Sequence, residues 1–437
     1  MEGTPVRTTF GSSLLSRRCF THSGTLAAGA ASLNLVGSLR GADAPSNRLV
    51  VGIMGLGRGK GHISAWLGVP GVEIAYLCDV DVRREEEAAR MVKRAGQQKA
   101  AKFVNDFRIM LHDPELDIVS IAAPNHWHAP AAILSCKAGK HVYVEKPGSH
   151  NPREGELIVE AARKYNRKVQ MGVQRRSYPA IREGIQKLHE GVIGKVVFGR
   201  SHFLSQRAGI GVGSSAPVPV TLDYNLWQGA APAYPYKDNL LPYNWQWIWH
   251  FGGGELANNG IHGLDILRWG LRTRIPKKVT FLGGRYHFRD DQETPDTGVA
   301  QFDFGGCGAV WEQSSCHRQL PEKLPFVSFA GEGGLMEVSS AGYTIYDLQG
   351  KEVETNPGTA SDVPHFQNLA DSIRNGVALN SEIAEGQASA LLCHLGNIAY
   401  RTGRVLVPEA GTGKPSAEPE AMKLWAREYR NGWEPAV

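Results

Sequence analysis

Residues 48–79 narrow the possible folds of this 437-residue chain more than any other stretch. Arg48 to Met54 reads RLVVGIM, a short apolar run rich in β-branched residues. GLGRGKG follows from Gly55 to Gly61, HISAWLGVPG opens a helix, VEIAYLC is a second apolar run, and Asp79 ends it. Strand, glycine-rich turn, helix, strand and acid is the order that a dinucleotide site requires. Gly55 permits a turn that a Cβ would strain, and Gly57 lets the backbone approach a pyrophosphate. The helix start offers free N–H groups and the positive end of a dipole to the phosphates. Leu56, Arg58 and Gly59 complete the loop expected around the cofactor. Asp79 lies 22 residues past Gly57. A carboxylate there bonds ribose hydroxyls and repels a 2′-phosphate, which favours NAD over NADP, although Arg83 and Arg84 stand close enough to accommodate a phosphate.

The rest of the first half repeats the alternation. Helices are expected at 82–95 and 127–138 and at Pro152 to Tyr165. Strands are expected at 117–122, 140–144 and 168–171, with a short strand and helix between 102 and 116. Strands alternating with helices predict a parallel sheet covered on both faces, over residues 45–172. The second half changes character. A helix at 179–190 and a strand at 195–205 precede a long irregular segment, 208–249, rich in glycine, proline and aromatic residues. After a helix at about 259–270, apolar stretches at 279–288, 297–304, 308–315, 326–334 and 334–340 come without helices between them. That series predicts a mainly antiparallel open sheet. Helices at 364–375 and 382–402 close a domain spanning 173–408, and residues 409–437 form a tail expected to wrap the surface.

Length and composition agree with two globular domains: 42% of residues are hydrophobic and 21% charged. The net charge of +5 falls to +3 when residues 1–44, with four arginines and two acids, are set aside. No basic stripe remains, so nucleic acid is not an expected partner. Residues 1–44 read as an address. Ser16-Arg17-Arg18-Cys19-Phe20 is a twin-arginine pattern, a weakly apolar stretch runs from Gly24 to Val36, and Ala42-Asp43-Ala44 resembles a cleavage site. The apolar run is too short to span a membrane stably. Export of the folded protein to the periplasm or beyond is the expectation, and with it an NAD held tightly, since little soluble NAD exists there. Of six cysteines, none forms a C-x-x-C pair. Buried free thiols are expected at Cys78 and Cys136, Cys307 and Cys316 are spaced so that they could pair, and no metal site is expected.

Four clusters bear chemistry. Pro124-Asn125-His126-Trp127-His128 follows the fourth apolar strand, and Glu145-Lys146-Pro147 the fifth. Ligands bind beyond the carboxyl ends of parallel strands, which is where both fall. Lys146 is placed to bond a substrate hydroxyl and stabilise developing alkoxide charge. Pro124, Asn125, His128 and Glu145 are expected beside the cofactor, and His126 at the surface. The third cluster is GGGELANNGIHGLDILRW, 252–269, where Asn258, His262 and Asp265 share a helix face. A histidine there suits a general base for an alcohol. The fourth is aromatic: Tyr224, Trp227, Tyr234, Tyr236, Tyr243, Trp245, Trp247 and Trp249 fall within 26 residues. Such rings stack on sugar C–H faces. Trp245, Trp247 and Trp249, with Gln174 and Arg175 after the last strand of the first half, are the expected substrate contacts.

The Gly55-Leu56-Gly57 loop, Asn125–His128, Glu145-Lys146-Pro147 and the helix carrying His262 occur in the order of the Gfo/Idh/MocA oxidoreductases, which the whole mature chain resembles. The Glu-Lys-Pro turn is the most specific mark. NHWHAPAAILSCKAGKHVYVEKP and NWQWIW resemble an exported branch of that family. The resemblance implies a Rossmann domain followed by an α/β domain whose open sheet often makes a homo-oligomer. It also implies NAD-dependent oxidation of a sugar CH–OH group, with Lys146 as catalytic lysine and His262 as base. Asn258 stands where many members carry an aspartate paired with that histidine; Asp265 is then the acid left to supply a charge or to anchor the helix. Exported relatives also resemble NAD-dependent glycoside hydrolases, which oxidise, eliminate, add water and return the hydride. A sugar-binding protein without turnover is the reading outside enzymes.

Overall fold

The computed structural model describes residues 47–318 and 324–437; the twin-arginine stretch lies outside the described residues. The first sheet has six strands: β1 (Leu49–Met54), β2 (Val72–Cys78), β3 (Lys102–Val104), β4 (Ile118–Ile121), β5 (His141–Glu145) and β6 (Val169–Gly172). Their order is β3-β2-β1-β4-β5-β6 and every pairing is parallel. β1 is buried along its whole length, as a continuous apolar run flanked on both faces should be. Helices α1 (Gly59–Leu67), α2 (Glu85–Arg94), α3 (Phe107–Leu111), α4 (Asn125–Lys137) and α5 (Pro152–Lys164) fill the crossovers. The order reverses between β1 and β4, which opens a crevice over the strand ends.

After α6 (Pro179–His189), β7 (Val196–Leu204) and the short α7 (Tyr224–Gln228), a π-helical turn at Leu256–Gly260 runs straight into α8 (Ile261–Gly270). β8 (Lys278–Gly284), β9 (Thr297–Asp303), β10 (Gly308–Ser314), β11 (Val327–Gly331), β12 (Gly334–Val338), β13 (Tyr343–Tyr346) and β14 (Glu352–Asn356) complete a second sheet. Its order is β14-β13-β12-β11-β7-β10-β9-β8, antiparallel throughout except where β7 meets β10. The expected strand at 279–288 stops at Gly284, because Asp296 accepts the backbone N–H groups of Tyr286, His287 and Phe288 and turns the chain. β13 and β14 escape sequence reading: one is four residues long, and the other is the polar edge strand EVETN.

Two late helices return to the first sheet. α9 (Val363–Asn375) packs Phe366, Leu369 and Ala370 into one core with Ile63, Trp66 and Tyr143. Phe366 stacks on Tyr143 with ring centroids 4.1 Å apart. α10 (Ile383–Thr402) lies against α5, α8 and β8. The tail is pinned as well: Trp425 is buried, Arg427 meets the fully buried Glu154 at 2.9 Å, and Trp433 packs edge-on against Trp127. All five described cysteines are free, Cys307 and Cys316 among them. No helix among the described residues is long and apolar enough to cross a membrane.

Candidate active site

A cleft of about 930 Å³ runs along the carboxyl ends of β1, β2, β4 and β5. Gly55, Gly57, Arg58, Asp79, Pro124, Asn125, His128, Glu145, Lys146 and Asn258 line it, and the irregular segment covers it with Trp227, Tyr236, Tyr243 and Trp245. Gly55 has a φ of 87°, and a Cβ there would lie 2.8 Å from the Ala122 carbonyl. Leu56 and Gly59 sit beneath the loop and are buried. The start of α1 carries no capping side chain, which leaves its first N–H groups available to a phosphate. Asp79 accepts the N–H groups of Leu56 at 2.7 Å and Asp81 at 2.9 Å, which fixes its carboxylate at the end of β2. Arg83 is spent on Asp81, with contacts of 2.7 and 2.9 Å, and Arg84 stands 3.6 Å from Asp79. The site therefore fits a dinucleotide with a free ribose diol better than one with a 2′-phosphate.

Glu145 organises the inner wall. Its Oε1 meets Arg58 Nε at 3.0 Å, His62 Nε2 at 3.2 Å and Gln174 Nε2 at 3.4 Å. Burial opposes its charge, but the His62 hydrogen bond and the Arg58 guanidinium outweigh that and hold the carboxyl well below its usual range. Arg58 reaches on to Asp362 at 3.0 Å, joining the glycine loop to the start of α9. Lys146 is partly buried rather than a surface residue. Its Nζ donates to the backbone oxygen of Asn258 at 2.6 Å and to Oδ1 of the same residue at 2.8 Å. Burial lowers its pKa, against Glu145 and Glu255, which raise it.

Asn258 sits in the π-helical turn, and His262 in the first turn of α8. π turns inserted in helices recur at functional sites because they re-aim side chains. Among the described residues His262 makes no hydrogen bond, and its Nδ1 is buried without a partner. Burial, then the charges of Arg175 and Lys146, push its pKa well below the ordinary 6.5. It is a neutral imidazole near neutral pH, half-buried one turn past Asn258 and not itself among the residues lining the cleft.

Several expected residues lie elsewhere. Asp265 does not partner His262: it takes two hydrogen bonds from Arg176 Nε, at 2.8 and 2.9 Å, and one from Ser389 at 2.6 Å, and it anchors α8. Of the three tryptophans, only Trp245 lines the cleft. Trp247 is buried under the Arg207 guanidinium, and Trp249 packs on Tyr400 and Arg401. Alternating spacing puts side chains on one face only in a strand, and here Asn244–Trp247 is a 3-10 turn followed by an extended Ile248. His126 is fully buried, not exposed, with Nε2 2.8 Å from the Trp227 carbonyl. Gln174 is buried behind Glu145, and Arg175 stacks on Phe326 at 4.3 Å. Sequence reading missed His62 and Asp362. His62 falls one turn into the helix after the glycine loop, a position that faces β5, but nothing local marks Asp362.

Residues 47–173 match the profile of the oxidoreductase family with an NAD-binding Rossmann fold, Gfo/Idh/MocA, and residues 205–435 match the α/β domain that follows it in that family. A glycosyl hydrolase family 109 protein of Saccharopolyspora erythraea is 35% identical over 159 residues, 35% of this chain and 34% of that protein. A levoglucosan dehydrogenase of Pseudarthrobacter phenanthrenivorans is 30% identical over 162 residues, 36% of this chain and 41% of its own length. The chain thus spans less than half of either relative. A levoglucosan dehydrogenase solved with NADH and levoglucosan superposes with a TM-score of 0.66 over 83% of this chain and 100% of its own, at 19% identity. That likeness is one of fold. With both domains matched and the glycine loop, Asp79 and the Glu-Lys-Pro turn gathered on one cleft, the chain belongs to the Gfo/Idh/MocA oxidoreductases, and NAD is the nucleotide of its first domain.

Proposed function

We propose that the protein oxidises a CH–OH group of a sugar or sugar derivative. The observation that carries this reading is the meeting of Lys146, from the end of β5, with the Asn258 turn that leads into His262. Bound NAD supplies the hydride acceptor. His262, neutral and unpaired, takes the hydroxyl proton. Lys146 donates a hydrogen bond to the same oxygen and steadies the charge that develops on it. Asn258 holds the ammonium in place without neutralising it. Trp245 and Tyr243 supply aromatic faces against the sugar ring. The test is reduced nicotinamide produced from a sugar panel. Turnover should be lost when Lys146→Ala and His262→Ala are combined; unchanged turnover would sink the assignment.

The family 109 relatives favour a second reading, a redox-neutral glycoside hydrolase with captive NAD. It predicts cleavage of glycosides without added NAD and no lasting reduced cofactor. The twin-arginine stretch supports export in either case, and a captive cofactor with it.

A further inference from the structure

One cation at the sugar end has no assigned work. Residues Gln174–Ser177 form a 3-10 turn after β6. Its side chains fan out at three per turn. Gln174 Nε2 points to Tyr143 Oη at 3.2 Å and to Glu145. Arg176 points to Asp265 on α8, three residues past His262. Arg175 lies between them, and its turn is thereby tied to both the Lys146 strand and the His262 helix. The Arg175 guanidinium has Phe326 on one face at 4.3 Å and no hydrogen bond or carboxylate partner among the described residues. Its Nε is buried and unpaired, while the two terminal nitrogens stay open. A guanidinium fork taken largely out of water without an anion is costly, and its geometry matches a carboxylate or phosphate.

The surrounding charges are mixed, but the acids are engaged elsewhere: Asp362 acts on Arg175 yet pairs with Arg58, and Glu255 acts on Lys146 yet is bonded by Asn259 and Ser315. Arg175, Lys146 and Arg58 all act on His262 as cations, and Glu145 is the acid that opposes them, already engaged by Arg58 and His62. Asn258 adds no charge. None of these acids is bonded to the Arg175 fork among the described residues.

We propose that Arg175 is the anion-recognition residue of the sugar site and that the substrate is a sugar bearing one acidic group, a carboxylate or a phosphate. The proposal rests on the sugar-oxidising reading and deepens it. The test measures equilibrium binding to the NAD-loaded full chain by calorimetry. The probes are D-glucuronate, D-galacturonate, D-glucose 6-phosphate and their neutral parent hexoses. Acidic sugars should bind at least tenfold tighter than their parents, and the better of the carboxylate and phosphate arms identifies the group. Arg175→Gln should abolish that preference, and Arg175→Lys, which keeps the charge but not the fork, should retain part of it. Acidic and neutral sugars binding alike, or an unchanged preference in Arg175→Gln, would overturn the proposal and leave Arg175 as packing against Phe326. Nicotinamide reduction is read separately. Preference without reduction counts against the oxidoreductase reading alone, and reduction of neutral sugars without preference counts against the acidic substrate alone.

Discussion

Asn258 is the residue on which the chemistry turns. With an amide there, the partner bonded to Lys146 adds no charge to those of Glu145 and Glu255, and nothing on that turn raises the basicity of His262. The acid limb of kcat/KM should therefore lie below pH 6.5, since burial, Arg175 and Lys146 all disfavour the imidazolium. Asn258→Asp would add a carboxylate, favour both cations and move that limb to higher pH by about one unit, on the scale of roughly 1.4 kcal/mol per unit. A wild-type limb at or above 6.5, or no movement in Asn258→Asp, contradicts this electrostatic account. Lys146→Met should lower kcat roughly 10²-fold or more, with NAD binding retained, as fluorescence titration of the cofactor would report. Lys146 and Asp79 were legible because each ends an apolar run, and strand ends of a parallel sheet face one crevice. The role of Asp265 was not, since its partner Arg176 lies 89 residues earlier and no spacing along one helix reveals it.

Among the elements, α9 shows why helix prediction and domain assignment differ. Its pattern is legible from 364 to 375, but which sheet it covers is a tertiary matter. Phe366 fills the first core, between His62, Trp66 and Tyr143, although it is drawn from the second half. Phe366→Ala should cost about 3–5 kcal/mol, and urea unfolding should remain one transition, because the helix binds both halves. Two resolved transitions in the wild type would contradict that picture. The π-helical turn before α8 is equally invisible in sequence: the glycines and asparagines of GELANNGIH weaken a helix without marking a π turn, and its contact with Lys146 joins residues 112 positions apart.

Across the whole molecule, burial of histidine sets the response to acid. His128, His365 and His394 are fully or nearly buried, and desolvation holds each at about 4 against an ordinary 6.5. In the unfolded chain they take protons near 6.5, so the unfolded state binds more protons between those values. Stability is lost as pH falls from about 6.5 to about 4, and is fully present above 6.5. Scanning calorimetry should show Tm falling across that window, and a flat Tm would contradict it. The two-domain order of the chain was legible from where helices cease to alternate with strands. The closing of the first domain by α9 and the tail was not, because those contacts join residues hundreds of positions apart. The central claim is that hydride passes from a sugar carbon to NAD while His262 takes the hydroxyl proton and Lys146 steadies the oxygen. The most direct measurement mixes NAD-loaded protein with sugars deuterated at each carbinol position and follows the label by mass spectrometry. Deuterium should appear on the nicotinamide from one position, and not when Lys146→Ala and His262→Ala are combined. A protein that binds or cleaves its sugar while the nicotinamide never acquires label contradicts the claim.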